Sequence, residues 1–343
     1  MNKREWFARQ ADPATKKAMP ILSFPCVQLM GINVGQLVKA SEYQGGGMAK
    51  IAERFPSAAS VSMMDLSVEA EVFGSTVVFK DDEVPSVTGA ILEDEDDVEA
   101  LEVPDLPESL DAAVDGVGGR CVTYARAIAL AKKQITDRPV FAGVIGPFSL
   151  AGRLMDMTEI MVNCYAEPEM VEATVEKCAA FITKYIRLMR SAGADGIVMA
   201  EPAAGLISPA FNVQFSIPFI RRIIEEVKTD DFAFIYHNCG NVVEAQIEDI
   251  LTLGADAYHF GNAIDLPRMS EKIPDDVVFM GNIDPVGIFC GDADAAYAAT
   301  ADLLKKIGHR PNFIPSSGCD VPAHANLEAA DAFYKAVEDY YRG

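Results

Sequence analysis

Three residues carry the most specific chemistry this sequence offers. His237 and Cys239 lie two apart in the run FIYHNCGN, and Cys319 lies in SSGCDVP. In an extended segment, residues i and i+2 point to the same side, so one imidazole and one thiolate can converge on a single ion. Cys319 follows a later apolar run in a second glycine-containing turn and reaches the same place if both runs are strands of one sheet. One His and two Cys with an open fourth position is the pattern of a catalytic zinc site, and two thiolates favour zinc over magnesium or calcium. The competing reading is structural, because free cysteines are commonly buried and H-x-C arises by chance. Further polar residues follow other apolar runs: Glu201, Asn241, His259, Asn262 and Asp265. His259, Glu201, Asp265 and water are each available as a fourth ligand, and spacing does not choose among them. His259 also fits a hydrogen-bonded core histidine, and Glu201 a hydrogen bond behind the site. Asn241 and Asn262 suit the orientation of ligands or of a substrate oxygen. Gln28 and Tyr43 lie where an N-terminal layer would meet substrate.

The elements that must position these groups show a regular rhythm from about Arg120 onward. Strand-like runs at 140–146, 196–200, 232–237, 257–260, 277–281 and 312–315 alternate with helical stretches near 167–192, 217–227 and 243–253 and from Leu327. Such alternation implies right-handed βαβ units and a parallel sheet. Gly193-Ala194-Asp195-Gly196 and Gly254-Ala255-Asp256-Ala257 each close a helix and open a strand, a quasi-repeat that favours a closed barrel over an open sheet. The expected fold is therefore α/β, a (β/α)8 TIM barrel with an N-terminal extension layered across its mouth. Its C-terminal rim would carry the polar residues above. Residues 1–119 are expected to hold an early strand at Ile21–Val27 and an acidic insertion. Residues 120–343 form the barrel body, the whole being one structural domain. Neither a G-x-G-x-x-G after a strand nor a phosphate loop is present.

The 343 residues include 51 Asp+Glu against 29 Lys+Arg, a net charge of −22, which argues against nucleic acid or an anionic membrane as partner. Half of the chain is hydrophobic, enough for a large core, yet no stretch approaches the roughly 18–20 apolar residues of a membrane span. The first twenty residues lack an apolar signal region. Seven scattered cysteines suit a reducing cytoplasm. Between Lys80 and Arg120 there is no basic residue, and Glu93 to Asp97 are all acidic. That stretch reads as a solvated loop, with a docking patch for a basic partner as the alternative. A homodimer is in keeping with a half-apolar chain of this size, although no residue pattern specifies one.

FIYHNCGN, GADGIVMAEPAAGLISP, GADAYHFGNAID, MGNIDP and SSGCDVP together resemble the uroporphyrinogen decarboxylase superfamily. More specifically they are similar to its zinc-dependent corrinoid methyltransferase branch, which includes methylcobalamin:coenzyme M methyltransferases and related demethylation enzymes. DLSVEAEVFGSTVVFKDDEVPSV and GPFSLAGRLM extend the resemblance toward the N-terminus. It implies zinc held by His237, Cys239 and Cys319, and methyl transfer between a corrinoid and a small thiol acceptor or an O- or N-methyl donor. The chain has no D-x-H-x-x-G corrinoid motif, so the corrinoid would come from a partner protein. Two departures stand out. SFPCVQLMGINVG replaces the arginine-bearing segment of true uroporphyrinogen decarboxylases, which weakens the decarboxylase alternative. Some thiol-methylating relatives carry an acidic residue where this chain has His259-Phe260-Gly261-Asn262. A non-catalytic zinc barrel that docks a corrinoid protein is the third reading.

Overall fold

Runs that are apolar at every position, rather than at alternate ones, form strands buried on both faces. The computed structural model describes residues 2–343. In chain order its strands are β1 (Ser60–Val61), β2 (Thr76–Val78), β3 (Ser86–Thr88), β4 (Val140–Ile145), β5 (Gly196–Ala200), β6 (Ala233–Asn238), β7 (Ala257–Phe260), β8 (Val278–Ile283) and β9 (Phe313–Ser317). Seven of them make one parallel sheet in the order β1-β4-β5-β6-β7-β8-β9, and β2 and β3 form a separate antiparallel hairpin. Helices follow each strand of the parallel sheet. Ile217–Val227 is typical, burying Ile217, Ile220, Ile223, Ile224 and Val227 at helical spacing against the sheet. A helix at Ala293–Ile307, unassigned from the sequence, makes the last crossover between β8 and β9.

The sheet curls until its ends meet. Between β9 and β1 the eighth position is taken by residues 18–21. Met19 N donates to Pro315 O (2.9 Å) and Ala58 N donates to Ala18 O (2.8 Å). Ile21 N turns instead to the Ser317 hydroxyl at 3.0 Å. This corrects the expected early strand at Ile21–Val27: no ladder forms there, and Cys26–Met30 is a short helix. Pro20 and Pro25 bracket the segment, and a residue without an N–H cannot sustain a strand ladder.

Inside the curl lies a distinct apolar cluster containing Met19, Ile21, Val61, Phe141, Val198, Ile235, Met280 and Ile314. Because side chains alternate along a strand, the residues two further along face the same interior. They are His237 after Ile235, His259 after Ala257 and Ser316 after Ile314. A polar layer thus caps the apolar plug at the C-terminal end of the strands, where barrels build their sites.

The N-terminal segment is bound to the barrel by buried charge. Asp65 accepts from Arg120 (2.5 Å), the Tyr124 hydroxyl (2.8 Å) and the Ser67 hydroxyl (2.6 Å), and Arg120 also pairs with Glu71. The acidic stretch is strapped along the helix Pro168–Ser191, where Lys177 donates to the carbonyls of Val98, Glu99 and Leu101. Among the described residues no helix is long and apolar enough to cross a membrane.

Candidate metal centre

His237 is the penultimate residue of β6, beside Ala200 of β5 and His259 of β7. The turn after it is built around Asn238. The Asn238 amide donates to Glu201 O (2.8 Å) and its carbonyl accepts from Gly240 N (2.9 Å), which swings Cys239 back over the mouth. Two glycines make room for that turn. A Cβ on Gly240 would collide with the Gly205 carbonyl, and one on Gly261 would lie 2.5 Å from the Cys239 side chain. Cys319 arrives from the loop after β9, where Gly318 N donates to Ile283 O at 2.6 Å.

The result brings one donor atom from each of His237, Cys239 and Cys319 within 4.8 Å of the others. His237 Nε2 and Cys319 Sγ are 3.6 Å apart. A tetrahedral zinc with ordinary Zn–N and Zn–S lengths has an N···S edge of about 3.6 Å, so that edge of the donor set suits the ion. His237 is buried while the two cysteines are partly exposed, which leaves one side of the cluster open. One of the two thiols differs from the chain's other cysteines. Burial pushes Cys26 up to about 12 and holds Cys121 and Cys178 well above the ordinary thiol value. Cys239 is lowered by the hydrogen bond from Cys319, whereas Cys319, giving that proton, is pushed up to about 12. Cys239 is therefore the first to ionise.

A chain of hydrogen bonds fixes which nitrogen of His237 is free. The Met19 carbonyl can only accept, so the Ser316 hydroxyl donates to it (2.7 Å). Ser316 Oγ then accepts from His259 Nε2 at 2.7 Å. Burial holds the His259 pKa well below the ordinary histidine value, with the neighbouring His237 adding to the effect. His259 is thus neutral, and its Nδ1 carries a lone pair. That lone pair accepts from His237 Nδ1–H at 2.8 Å, leaving His237 Nε2 unprotonated toward the thiols. Ser316, His259, His237 and Met19 are all at most 1% exposed, so no water substitutes for a link.

The remaining sequence-predicted residues are placed as follows. His259 stands behind His237, with both ring nitrogens engaged. Glu201 is fully buried, and its carboxylate accepts from Phe148 N (3.1 Å) and Ser149 N (2.6 Å), capping the helix Pro147–Met155 rather than joining the cluster. Asp265 caps the helix Leu266–Ser270 through Arg268 N (3.1 Å). Asn241 and Asn262 are exposed in the rim loops, Asn262 against Gly318. Gln28 clamps the carbonyls of Ala323 and Ala325 at 2.7 and 2.8 Å, and Tyr43 sits on the helix Ser41–Arg54, 40% exposed. Ser316 had no sequence signal, because its role depends on a neighbour 57 residues away.

An α/β barrel with a His-Cys-Cys cluster at its C-terminal mouth is the class of protein this arrangement defines. The family model described as Uroporphyrinogen decarboxylase (URO-D) matches residues 28–340, and the chain belongs to that family. Curated relatives include the methylcobamide:CoM methyltransferase MtbA of Methanosarcina acetivorans, 27% identical over 271 residues, covering 77% of this chain and 75% of that protein. A uroporphyrinogen decarboxylase of Neisseria meningitidis serogroup C is 24% identical over 302 residues, covering 84% and 80%. Among solved structures, a methyltransferase from Methanosarcina mazei shares the fold with a TM-score of 0.83 at 22% identity, covering 99% of this chain and 98% of that one.

Proposed function

We propose that this enzyme is a zinc-dependent methyltransferase that moves a methyl group between the cobalt of a corrinoid, carried by a partner protein, and a small substrate bound at the barrel mouth. The observation that carries the reading is the convergence of His237, Cys239 and Cys319 on one open-sided cluster. Zinc held there would keep a thiol substrate as its nucleophilic thiolate, or withdraw electron density from the heteroatom of a methylated donor. The chain's own residues prepare the position. The Met19–Ser316–His259 relay holds the His237 Nε2 lone pair toward the site, and Cys239 supplies the first thiolate. Asn238 and the backbones of Gly205 and Gly240 keep the cysteine turn from relaxing away. MtbA's printed activity supports methyl transfer, and the 27% identity to it is spread over three quarters of both chains.

The decarboxylase reading asks the mouth to bind a substrate with many carboxylates. The residues from Ser23 to Gly35 contain no arginine, and the chain is strongly acidic overall. Two measurements test the proposal. Metal analysis is expected to give about one zinc per chain and none in Cys319→Ala, since a methyl group cannot replace a thiolate as a ligand. Methylcobalamin mixed with a panel of thiols is expected to lose its methyl group, read from the cobalt spectrum. Unchanged zinc in Cys319→Ala, or conversion of uroporphyrinogen to coproporphyrinogen, would sink the assignment.

A further inference from the structure

Away from the metal centre, at the N-terminal end of the barrel strands, two cavities of about 300 Å³ each share Lys17 and Arg342 as a common wall. Three parts of the chain meet there. The helix Lys3–Ala11 brings Arg9, the approach to the closing segment brings Lys16 and Lys17, and the helix Leu327–Arg342 brings Lys335 and Arg342. Arg138, just before β4, completes a set of six cations against three carboxylates, Asp137, Asp331 and Glu338. In the whole chain acids outnumber bases by 51 to 29, so the balance is reversed here. Two of those carboxylates are already engaged. Asp137 accepts from Arg138 at 2.7 Å, and Asp331 from Arg54, outside the cavities, at 2.5 Å. The Arg9 and Lys17 side chains make no hydrogen bond or ion pair among the described residues, and Arg342 reaches only the Lys16 carbonyl, at 3.3 Å. Lys17 is half-buried. Burial lowers its pKa, and Arg138, Arg342 and Arg9 press it the same way, with Asp137 alone opposing. Like charges gathered with free donors repel one another until an anion joins them.

We infer that this groove binds a diphosphate group, either free pyrophosphate or the pyrophosphate arm of a nucleotide, at the end of the barrel away from the reacting centre. The inference goes beyond the proposed function and rests on nothing in it. Arg9, Lys17 and Arg342 offer uncommitted positive charge from three separate elements, which a singly charged ligand leaves mostly unmatched. A guanidinium fork takes phosphate oxygens two at a time, and an ammonium serves as a point charge between them. Two linked phosphates can meet cations on both sides of Lys17, whereas one phosphate confined to a single cavity cannot. The elements that supply the cations are also those that close the barrel: the first helix, the approach to residues 18–21 and the last helix. A bound diphosphate ties them together, and a ligand that binds only the folded chain stabilises it in step with its affinity.

The test is calorimetry on the full chain, with ionic strength held constant by sodium chloride. Pyrophosphate is expected to bind, and sulfate and citrate to bind at least about 10-fold more weakly. ADP binding without AMP binding assigns the nucleotide source, and pyrophosphate binding without ADP assigns the free anion. Lys17→Met keeps the apolar stem and removes the charge, and Arg9→Gln removes the fork. Each is expected to weaken pyrophosphate binding by about 10- to 100-fold. Lys50→Met is the control, because that exposed ammonium meets only Glu53, and it should change nothing. Neither the Lys17 nor the Arg9 side chain bonds to the protein, so both variants should melt no lower than the wild type without ligand. The rise in melting temperature that pyrophosphate gives the wild type should shrink in both. Pyrophosphate also chelates metals, so the titration is repeated on Cys319→Ala, which should bind it equally. Loss of binding there would put the anion at the metal centre and overturn the inference. Wild-type affinity in both Lys17→Met and Arg9→Gln, citrate binding as tight as pyrophosphate, or no binding by the wild type at millimolar concentration likewise overturns it.

Discussion

Ser316→Ala is the sharpest probe of the relay behind the candidate metal centre. The substitution removes the atom that accepts His259 Nε2–H at 2.7 Å, in a position that is 0% exposed. The space vacated by a hydroxyl is smaller than the roughly 30 Å³ a water occupies, so no water takes over. Either His259 keeps its tautomer with a stranded buried donor, at about 1–3 kcal/mol, or its proton moves to Nδ1. In the second case two N–H groups meet at 2.8 Å, and His237 must move its own proton to Nε2, the atom that faces the thiols. Either outcome costs metal affinity. Loss of such a supporting contact typically weakens binding about 10- to 100-fold, which is about 1.4–2.7 kcal/mol. Competition with a chromophoric chelator measures the zinc affinity, and nitrogen NMR of the imidazoles reads the tautomers directly. Ser317→Ala is the control: it lies on the same strand and loses only the bond from Ile21 N. Zinc affinity unchanged in Ser316→Ala, or wild-type His237 protonated on Nε2 in the metal-free protein, would refute the relay.

Two further outcomes test the framework around the site. Asp65→Ala leaves Arg120 short of a fully buried partner and should cost about 3–5 kcal/mol in urea unfolding. Arg4→Ala breaks an ion pair whose side chains are 79% and 88% exposed and should cost under about 1 kcal/mol; equal effects would contradict the assigned role of the buried pair. Burial pushes the Glu201 carboxyl up to about 7 from an ordinary 4.5. A raised folded pKa means that the folded state holds the proton more tightly, so this contribution is complete below about 4.5 and is lost as pH rises to 7. Against Glu201→Gln, wild-type stability should therefore fall by about 3 kcal/mol between those limits, and a difference that does not vary with pH would exclude the shift.

Strands β4 to β9 are legible because they are largely buried on both faces and read as apolar runs, whereas the two-residue β1 and the half-exposed hairpin β2–β3 carry no such signal. GIVMA and AYHF coincide with β5 and β7 to the residue. The closing segment was harder to read. Ile21 to Val27 has a strand's composition, but Pro20 and Pro25 and a side-chain acceptor on β9 decide that only residues 18–21 bridge the sheet. His237 and Cys239 could be paired from i, i+2 spacing alone, whereas the service of His259 depends on the register that sets it beside His237. Glu201 shows the converse. An acid at a strand end looks the same in sequence whether it faces substrate or caps a helix, and here the amides of Phe148 and Ser149 claim it.

The bridge formed by residues 18–21 also sets the order of events in making this protein. Met19 bonds to Ser316, 297 positions later, and Cys319 emerges later still. At a synthesis pace of about 5–20 residues per second, the ribosome delivers these groups roughly 15–60 s after the start of the chain. Until then the nascent chain has an unsealed edge at β1 and only His237 and Cys239 to offer a metal. Sealing the curl and completing the donor set are thus one late event, so tight zinc retention would mark chains that have been finished and closed.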